Sequence, residues 1–210
     1  MRRTGFTIIE VVVVFLLMLG VAFFVLPRSL NNTKQARLIS KWTEKYSELE
    51  YMFSVIKAQS DSEIEKKFQT AQNDDDRKQI ILETVKPYLR ITSEPVQDYK
   101  QYYMNDVIVE RSGRYHFDNF YLTSSNEIVG LKWLNKSCKN GGICGVMAFD
   151  VNGKDAPNIW GQDVFGINIL REGIEPLGKG IAPDVLKNDC SKHGLGIYCS
   201  YYYLIGGKFD

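Results

Sequence analysis

The chain has 210 residues, of which 44% are hydrophobic and 24% are charged, a composition typical of one globular domain or of one domain with an appendage. Its 26 Lys and Arg residues almost balance 25 Asp and Glu residues, and the formal net charge of +1 excludes a general nucleic-acid-binding surface based on bulk charge. Extreme hydrophobicity is confined to residues 6–26, which excludes a polytopic membrane protein and argues against a purely cytosolic enzyme.

An apolar segment runs from Phe6 to Leu26, and Glu10 is its only charged residue. As a helix its 21 residues would extend ~31 Å, which matches the hydrocarbon thickness of a bilayer. Two arginines precede the segment, so the positive-inside rule predicts a cytoplasmic N-terminus and translocation of residues 28–210. The alternatives are a cleaved signal peptide, although no small-residue cleavage pattern precedes Pro27, and an ordinary signal-anchor.

Glu10 distinguishes this segment from an ordinary signal-anchor. A carboxylate within a membrane-spanning helix costs about 2–3 kcal/mol or more and usually has a functional partner. No basic residue within residues 6–26 can neutralise it. We therefore predict a partner on a second molecule.

The segment Gly5-Phe6-Thr7-Ile8-Ile9-Glu10, followed by an unbroken apolar run, resembles the class III signal of type IV pilins and type II secretion pseudopilins. The resemblance implies that a prepilin peptidase cleaves between Gly5 and Phe6 and that the new Phe6 amine is methylated. It implies further that Glu10 pairs with the Phe6 amine of a neighbouring subunit. Pro27 falls where this family often has a helix-kinking proline.

This resemblance also implies an organisation and a function. The expected parts are a leader peptide (1–5), a transmembrane and assembly helix (6–27), the extracytoplasmic half of the same helix (28–60) and a globular head (61–210). The expected function is that of a structural subunit in a type IV pilus-like or type II secretion pseudopilus filament. The alternatives are a minor tip, initiation or DNA-uptake pilin, and a signal-anchored extracytoplasmic binding domain without a filament.

The implied partners are other pilin or pseudopilin subunits, the prepilin peptidase, the inner membrane and, indirectly, an assembly platform and its ATPase. The expected location is the inner membrane, crossed once with the C-terminal domain outside the cytoplasm, and then a periplasmic or extracellular filament. The sequence contains no hydrolase, metalloprotease, P-loop or dinucleotide motif, so we predict a protein that is not an enzyme and has no catalytic residues.

Apolar residues at spacings of three and four predict that the N-terminal helix continues to about Gln59 and packs one face on a head. They are Leu38, Trp42, Tyr46, Leu49, Phe53 and Ile56. The residues Ser60–Glu63 predict a stop and a fresh N-cap. Two short helices should follow, the second capped near Asp74–Asp76 and ending at Pro87.

Residues after position 99 are rich in β-branched and aromatic side chains bounded by Gly, Asn and Ser, a pattern typical of strands. The sequence therefore predicts an α+β fold, in which a long helix lies against an antiparallel sheet, as in the pilin architecture. The predicted strands are 102–109, 115–122, 128–134, 143–151 and 197–205.

Four cysteines, Cys138, Cys144, Cys190 and Cys199, lie in the part predicted to be translocated, where disulfides form. The local pairing, Cys138–Cys144 and Cys190–Cys199, would close two short loops that contain glycine. The alternative is a zinc site made of all four thiolates, for which these spacings are loose.

The stretch from Phe149 to Phe165 contains oxygen ligands at Asp150, Asn152, Asp155 and Asp163 that could surround Ca²⁺. It is not an EF-hand, since the twelfth position from Asp150 is a glycine. Asx-turns at Asp150 and Asn152, together with a positive φ at Gly153, would build the same loop without an ion. The pattern resembles a C-terminal loop of pilin-like proteins, and both alternatives stay open: no cofactor, or Ca²⁺.

Overall fold

The structure of the chain, a computed structural model, describes residues 8–92, 94–110, 113–134 and 142–208, without the side chains of residues 22–32, 60–69 and 74. The chain forms two compact units, unit one (residues 1–37) and unit two (residues 38–210). The described elements are α1 (Ile8–Thr70), α2 (Asp74–Leu89), β1 (Phe120–Leu122), β2 (Ile128–Trp133), β3 (Ile143–Asp150), β4 (Val164–Leu170), β5 (Ile174–Pro176), α3 (Pro183–Asp189) and α4 (Cys199–Tyr202).

In unit one, α1 carries large apolar side chains that are not covered within the chain. Their exposed fractions range from 49% for Val12 to 85% for Ile8. The backbone is helical on both sides of Pro27, and a bend at this residue stays a prediction. Within the described residues, no helix combines the length and the apolar character needed to cross a membrane.

In unit two, α1 buries the stripe that the sequence predicts, with Trp42 and Leu49 fully covered. The predicted end near Gln59 is wrong, because α1 continues to Thr70. No glycine or proline occurs between Pro27 and Pro87, so nothing forces the helix to stop at the serines and aspartate that could have capped it.

The second helix, α2, begins at the predicted place and ends later than predicted. Asn73 is its N-cap, and the Asn73 side chain accepts a hydrogen bond from the Asp76 N–H at 2.8 Å. Pro87 lies inside the last turn, and the helix ends at Leu89. Arg90 then adopts a left-handed conformation, with φ of 48°, and its N–H bonds to the Lys86 carbonyl.

The five strands form one antiparallel sheet in the order β1-β2-β3-β4-β5. One face packs with α1 and α2, and the other is covered by residues that include Phe117, Trp160 and Ile197. Since both faces are buried, β3 and β4 contain almost only buried residues. The α+β class with an N-terminal helix and an antiparallel sheet is confirmed.

Two predicted strands are wrong and two observed strands were not predicted. Residues 102–109 form only isolated bridges, since Asp106 turns the chain at a φ of 63°. Residues 197–205 contain the short helix α4 instead of a strand. The predicted strand 115–122 is reduced to β1, and β4 and β5 are additional. A short apolar run does not by itself distinguish strand from helix, which explains the C-terminal error.

Candidate functional site

The residues predicted for processing and assembly lie at the start of α1. Gly5 and Phe6 fall outside the described residues, so cleavage and methylation stay predictions. Glu10 lies in the first turn of α1, and its side chain is exposed.

A buried pair of carboxylates closes the loop between β3 and β4. Asp150 is the last residue of β3, and Asp163 immediately precedes β4. Their exposed fractions are 1% and 0%. A fully buried aspartate is rare unless its oxygens are bonded, so the surroundings of these two carboxylates define the site.

Protein donors surround the Asp150 carboxylate. Its Oδ1 accepts hydrogen bonds from the N–H groups of Asn152 and Gly153, both at 3.1 Å. The Tyr99 hydroxyl donates to Oδ2 at 2.5 Å. The predicted Asx-turn at Asp150 and the predicted positive φ of Gly153, 78°, are therefore both present. The Asx-turn predicted at Asn152 is wrong, because the Asn152 Oδ1 atom accepts no hydrogen bond.

The Asp163 carboxylate holds the other end of the loop. Its Oδ1 accepts from the Ile159 N–H at 2.6 Å, and its Oδ2 accepts from the Asn158 N–H at 2.9 Å. Asn158 has a φ of 56°, a conformation that asparagine tolerates better than most residues. Asp163 thus fixes the return of the chain into β4.

The electrostatics of the pair are unusual for aspartates. Burial and, second to it, the neighbouring Asp163 charge raise the pKa of Asp150 to about 8, although hydrogen bonds from Tyr99 and two backbone N–H groups oppose the change. Burial likewise raises the pKa of Asp163 to about 6, against the bonds from Ile159 and Asn158. Burial and the Asp150 charge raise the pKa of Tyr99, which therefore stays a hydroxyl donor.

The structure brings together some of the four predicted calcium ligands. Asp163 lies close enough to Asp150 for its charge to raise the pKa of Asp150. The Oδ1 atom of Asn152 is buried without a hydrogen-bond partner. Asp155 is exposed. Asp150, Asp155 and Asp163 do not form a group of carboxylates with oxygens within 4.8 Å of one another; among the described residues the group that meets this criterion is Asp189, Cys190 and Cys199.

That group lies at the C-terminal loop and is occupied by a disulfide. Cys190 and Cys199 are bonded to each other, which agrees with the predicted local pairing and removes both sulfurs as metal ligands. The Asp189 carboxylate accepts hydrogen bonds from the N–H groups of Leu195 and Tyr198 at 3.2 and 2.7 Å. Cys144 is also disulfide-bonded, and Cys138, its predicted partner, lies outside the described residues.

Three polar side chains of α1 anchor this helix in unit two, a role that was not predicted from the sequence. Lys41 Nζ donates to the Val151 carbonyl at 3.0 Å, beside the carboxylate pair, and Trp42 Nε1 donates to the Ser200 carbonyl at 2.8 Å. Lys45 is 6% exposed and lies 2.8 Å from a Glu127 carboxylate oxygen. Lys45 lies on the apolar stripe of the helix, and a lysine at such a position is the sequence feature that indicates a buried ion pair.

Lys45 and Glu127 form an ion pair that is largely removed from water. Burial alone would lower the pKa of Lys45, but the carboxylates of Glu127 and Glu48 outweigh it and raise this pKa. Burial raises the pKa of Glu127 in spite of the lysine. The pair therefore joins α1 to the turn before β2 at a considerable desolvation cost.

The chain matches no protein-family model, no curated protein and no solved structure at a significant level.

Proposed function

We propose that this chain is a structural subunit of a type IV pilus-like or type II secretion pseudopilus filament. It is made with a leader peptide, cleaved after Gly5 and assembled through α1. Its partners are other subunits of the filament and the prepilin peptidase, and its N-terminal helix resides in the inner membrane before assembly.

The observation that carries this proposal is the combination of Glu10 with the apolar residues around it. The segment Gly5–Glu10 has the residues of the class III signal, and the described apolar side chains from Ile8 to Val21 are at least 49% exposed. Apolar surface of this extent gains free energy when lipid or other subunits cover it. A Glu10 carboxylate inside such a bundle requires a positive partner, and a free Phe6 amine would provide one.

We propose a structural role for unit two, whose buried aspartates hydrogen-bond within the fold. The buried carboxylates are not exposed in a cleft. Their oxygens accept hydrogen bonds from the loop and from Tyr99. His193 is exposed, and no described cysteine is free to act as a nucleophile. The head is therefore proposed to display a surface on the filament.

The N-terminus of the mature protein tests the proposal. We expect intact mass measurement of protein from its native membrane to give a chain that begins with methylated Phe6. Gly5→Ala should leave the precursor uncleaved in the membrane, whereas Gly20→Ala, an equally small change within α1, should be processed normally. Protein that begins at Met1 in the wild type would refute the proposal.

The two alternatives give different results in the same material. A minor tip or initiation pilin would be processed but present in few copies per filament, which quantitative mass spectrometry measures. A signal-anchored binding domain would keep its N-terminus, and Glu10→Ala would then change nothing. For a filament subunit, Glu10→Ala should be processed and yet assemble poorly.

A further inference from the structure

In unit two, Tyr103, Tyr115 and Tyr198 come from distant parts of the chain and pack against one buried cluster, and we call them the tyrosine cluster. Each of the three is half-buried, whereas Trp160, in the buried cluster beneath them, is fully covered. The ring centroids of Tyr115 and Trp160 are 5.7 Å apart. Tyr103 and Tyr198 lie close enough to Tyr115 for their charges to act on its hydroxyl. The three side chains therefore share one region of the surface.

The polar ends of the tyrosine cluster are not used by the fold. None of the three hydroxyls forms a hydrogen bond with a residue that the structure describes. The Nε1 atom of Trp160 is buried and also has no hydrogen-bond partner. A buried donor without a partner is rare in a folded protein and calls for an acceptor from a ligand or a water. The region thus combines aromatic rings with unused hydrogen-bonding groups.

Charged groups of both signs border the tyrosine cluster. Arg114 is exposed, its Cζ atom lies 5.9 Å from the Tyr115 ring centroid, and it forms no ion pair within the described part of the chain. Glu110 is also exposed, and its charge, second to burial, raises the pKa of Tyr103. The charge of Asp189 acts in the same direction on the pKa of Tyr115. A nucleic-acid phosphate would be repelled by these two carboxylates, so this surface does not suit a polyanion.

We propose that the tyrosine cluster, together with Arg114, binds a neutral saccharide chain. A sugar ring has C–H groups on its faces and hydroxyls around its edge, and its C–H face packs well on an aromatic ring, whose face is partially negative. Tyrosine hydroxyls both donate and accept hydrogen bonds, and Arg114 donates, so these groups match the hydroxyls of a sugar. The inference rests on the proposed function, because it specifies a ligand for the surface that the head would display on a filament.

Binding of cellohexaose to the full-length protein tests the proposal. This oligosaccharide is neutral, and its β-linked glucose rings have axial C–H groups on both faces. The protein should be kept in a zwitterionic detergent without a sugar headgroup, which would compete for the site. We expect saturation-transfer NMR to show the strongest transfer from the protein to ring C–H protons, and calorimetry to give a Kd on the order of 1 mM.

Three variants separate stacking from hydrogen bonding. Tyr115→Ala removes the ring and should weaken binding by roughly tenfold, whereas Tyr115→Phe removes only the hydroxyl and should weaken it by roughly threefold. Arg114→Gln changes an exposed side chain that the fold does not need, and should also weaken binding by roughly threefold. Tyr51→Ala is the matched control, since Tyr51 is 73% exposed on α1, and it should bind as the wild type does.

The outcomes of these measurements are distinct from those that test the filament. Absence of transfer to cellohexaose, or equal binding by the wild type, Tyr115→Ala and Arg114→Gln, would overturn the saccharide site and leave a processed Phe6 N-terminus unaffected. Binding of a thymidine hexanucleotide in place of cellohexaose would also overturn it. Graded losses in the three variants with an unchanged Tyr51→Ala would support it, and a chain that still begins at Met1 would then overturn the filament alone.

Discussion

The buried carboxylate pair predicts that unit two loses stability as the pH rises from acid to mildly alkaline. In the folded chain the pKa of Asp150 is raised to about 8 and that of Asp163 to about 6, mainly by burial. An unfolded aspartate titrates near 3.9. The folded state therefore holds protons that the unfolded state has released, so the stabilisation is complete below about pH 4 and is lost as the pH passes through 8.

The size of the effect follows from the linkage relation. One extra proton bound by the folded state changes the free energy of unfolding by about 1.4 kcal/mol per pH unit. Between pH 5 and pH 8 the Asp150 proton alone gives a loss of about 4 kcal/mol. For a protein of this size that loss corresponds to a fall in melting temperature of roughly 10 °C.

Asp150→Asn isolates this contribution, because the amide can keep the local hydrogen bonds. Its Oδ1 can still accept from the N–H groups of Asn152 and Gly153, and its Nδ2 can donate to the Tyr99 oxygen once that hydroxyl proton turns away. The free energy of unfolding of the variant should therefore change little between pH 5 and pH 8. Asp155→Asn, an exposed aspartate of the same loop, is the matched control and should behave as the wild type.

Thermal unfolding of the full-length protein in detergent, followed by near-ultraviolet circular dichroism, measures the effect at a series of pH values. Near-ultraviolet signals report aromatic packing around Tyr99, which bonds directly to the pair. An equal fall in melting temperature for Asp150→Asn and the wild type would refute the assignment of the pH dependence to this carboxylate.

Three other predictions concern the same unit. If the loop between β3 and β4 holds no ion, Ca²⁺ should leave the melting temperature at pH 8 unchanged. A calcium site would instead raise the stability of the wild type by about 2.7 kcal/mol at a hundredfold excess of Ca²⁺ over Kd, and Asp150→Asn would abolish this rise. Lys45→Met should lower the free energy of unfolding by about 3–5 kcal/mol in urea titrations, because it leaves the Glu127 carboxylate buried without its cation. Adding Glu127→Gln should recover part of this loss, and strictly additive losses would contradict the ion pair. Trp42→Phe removes the 2.8 Å bond to the Ser200 carbonyl and some buried volume, and should cost about 1–3 kcal/mol, with Trp42→Ala costing more.

Local patterns in the sequence predicted the elements that are strongly periodic. The stripe through Trp42 and Leu49 identified the buried face of α1, and the β-branched runs identified β2 and β3 within a few residues. These features depend on near neighbours along the chain, which a sequence displays directly. The end of α1 depends on a choice between capping and continuation, and the sequence around Ser60 permits both.

The surroundings of the carboxylate pair could be predicted only in part. The Asx-turn at Asp150 involves residues two and three positions away, and it was expected from the sequence. Tyr99 lies 51 positions before Asp150, and nothing local marks it as the donor to that carboxylate. The approach of Asp163 to Asp150 likewise follows from the pairing of β3 with β4, a strand that the sequence analysis did not predict.

Burial differs between the two units, and this difference bears on how such a chain could assemble. In unit two both faces of the sheet are covered, and the exposed large apolar side chains, such as Val107, Val185 and Ile205, are scattered along the chain. In unit one the described apolar side chains from Ile8 to Val21 are uncovered. For the assembly that we propose, the N-terminal part of α1 offers a continuous apolar surface, whose burial would contribute about 25 cal/mol for each Å² covered. Because that term has no direction, the assembly that we propose requires polar contacts to fix the register between copies, and we propose Glu10 for this role.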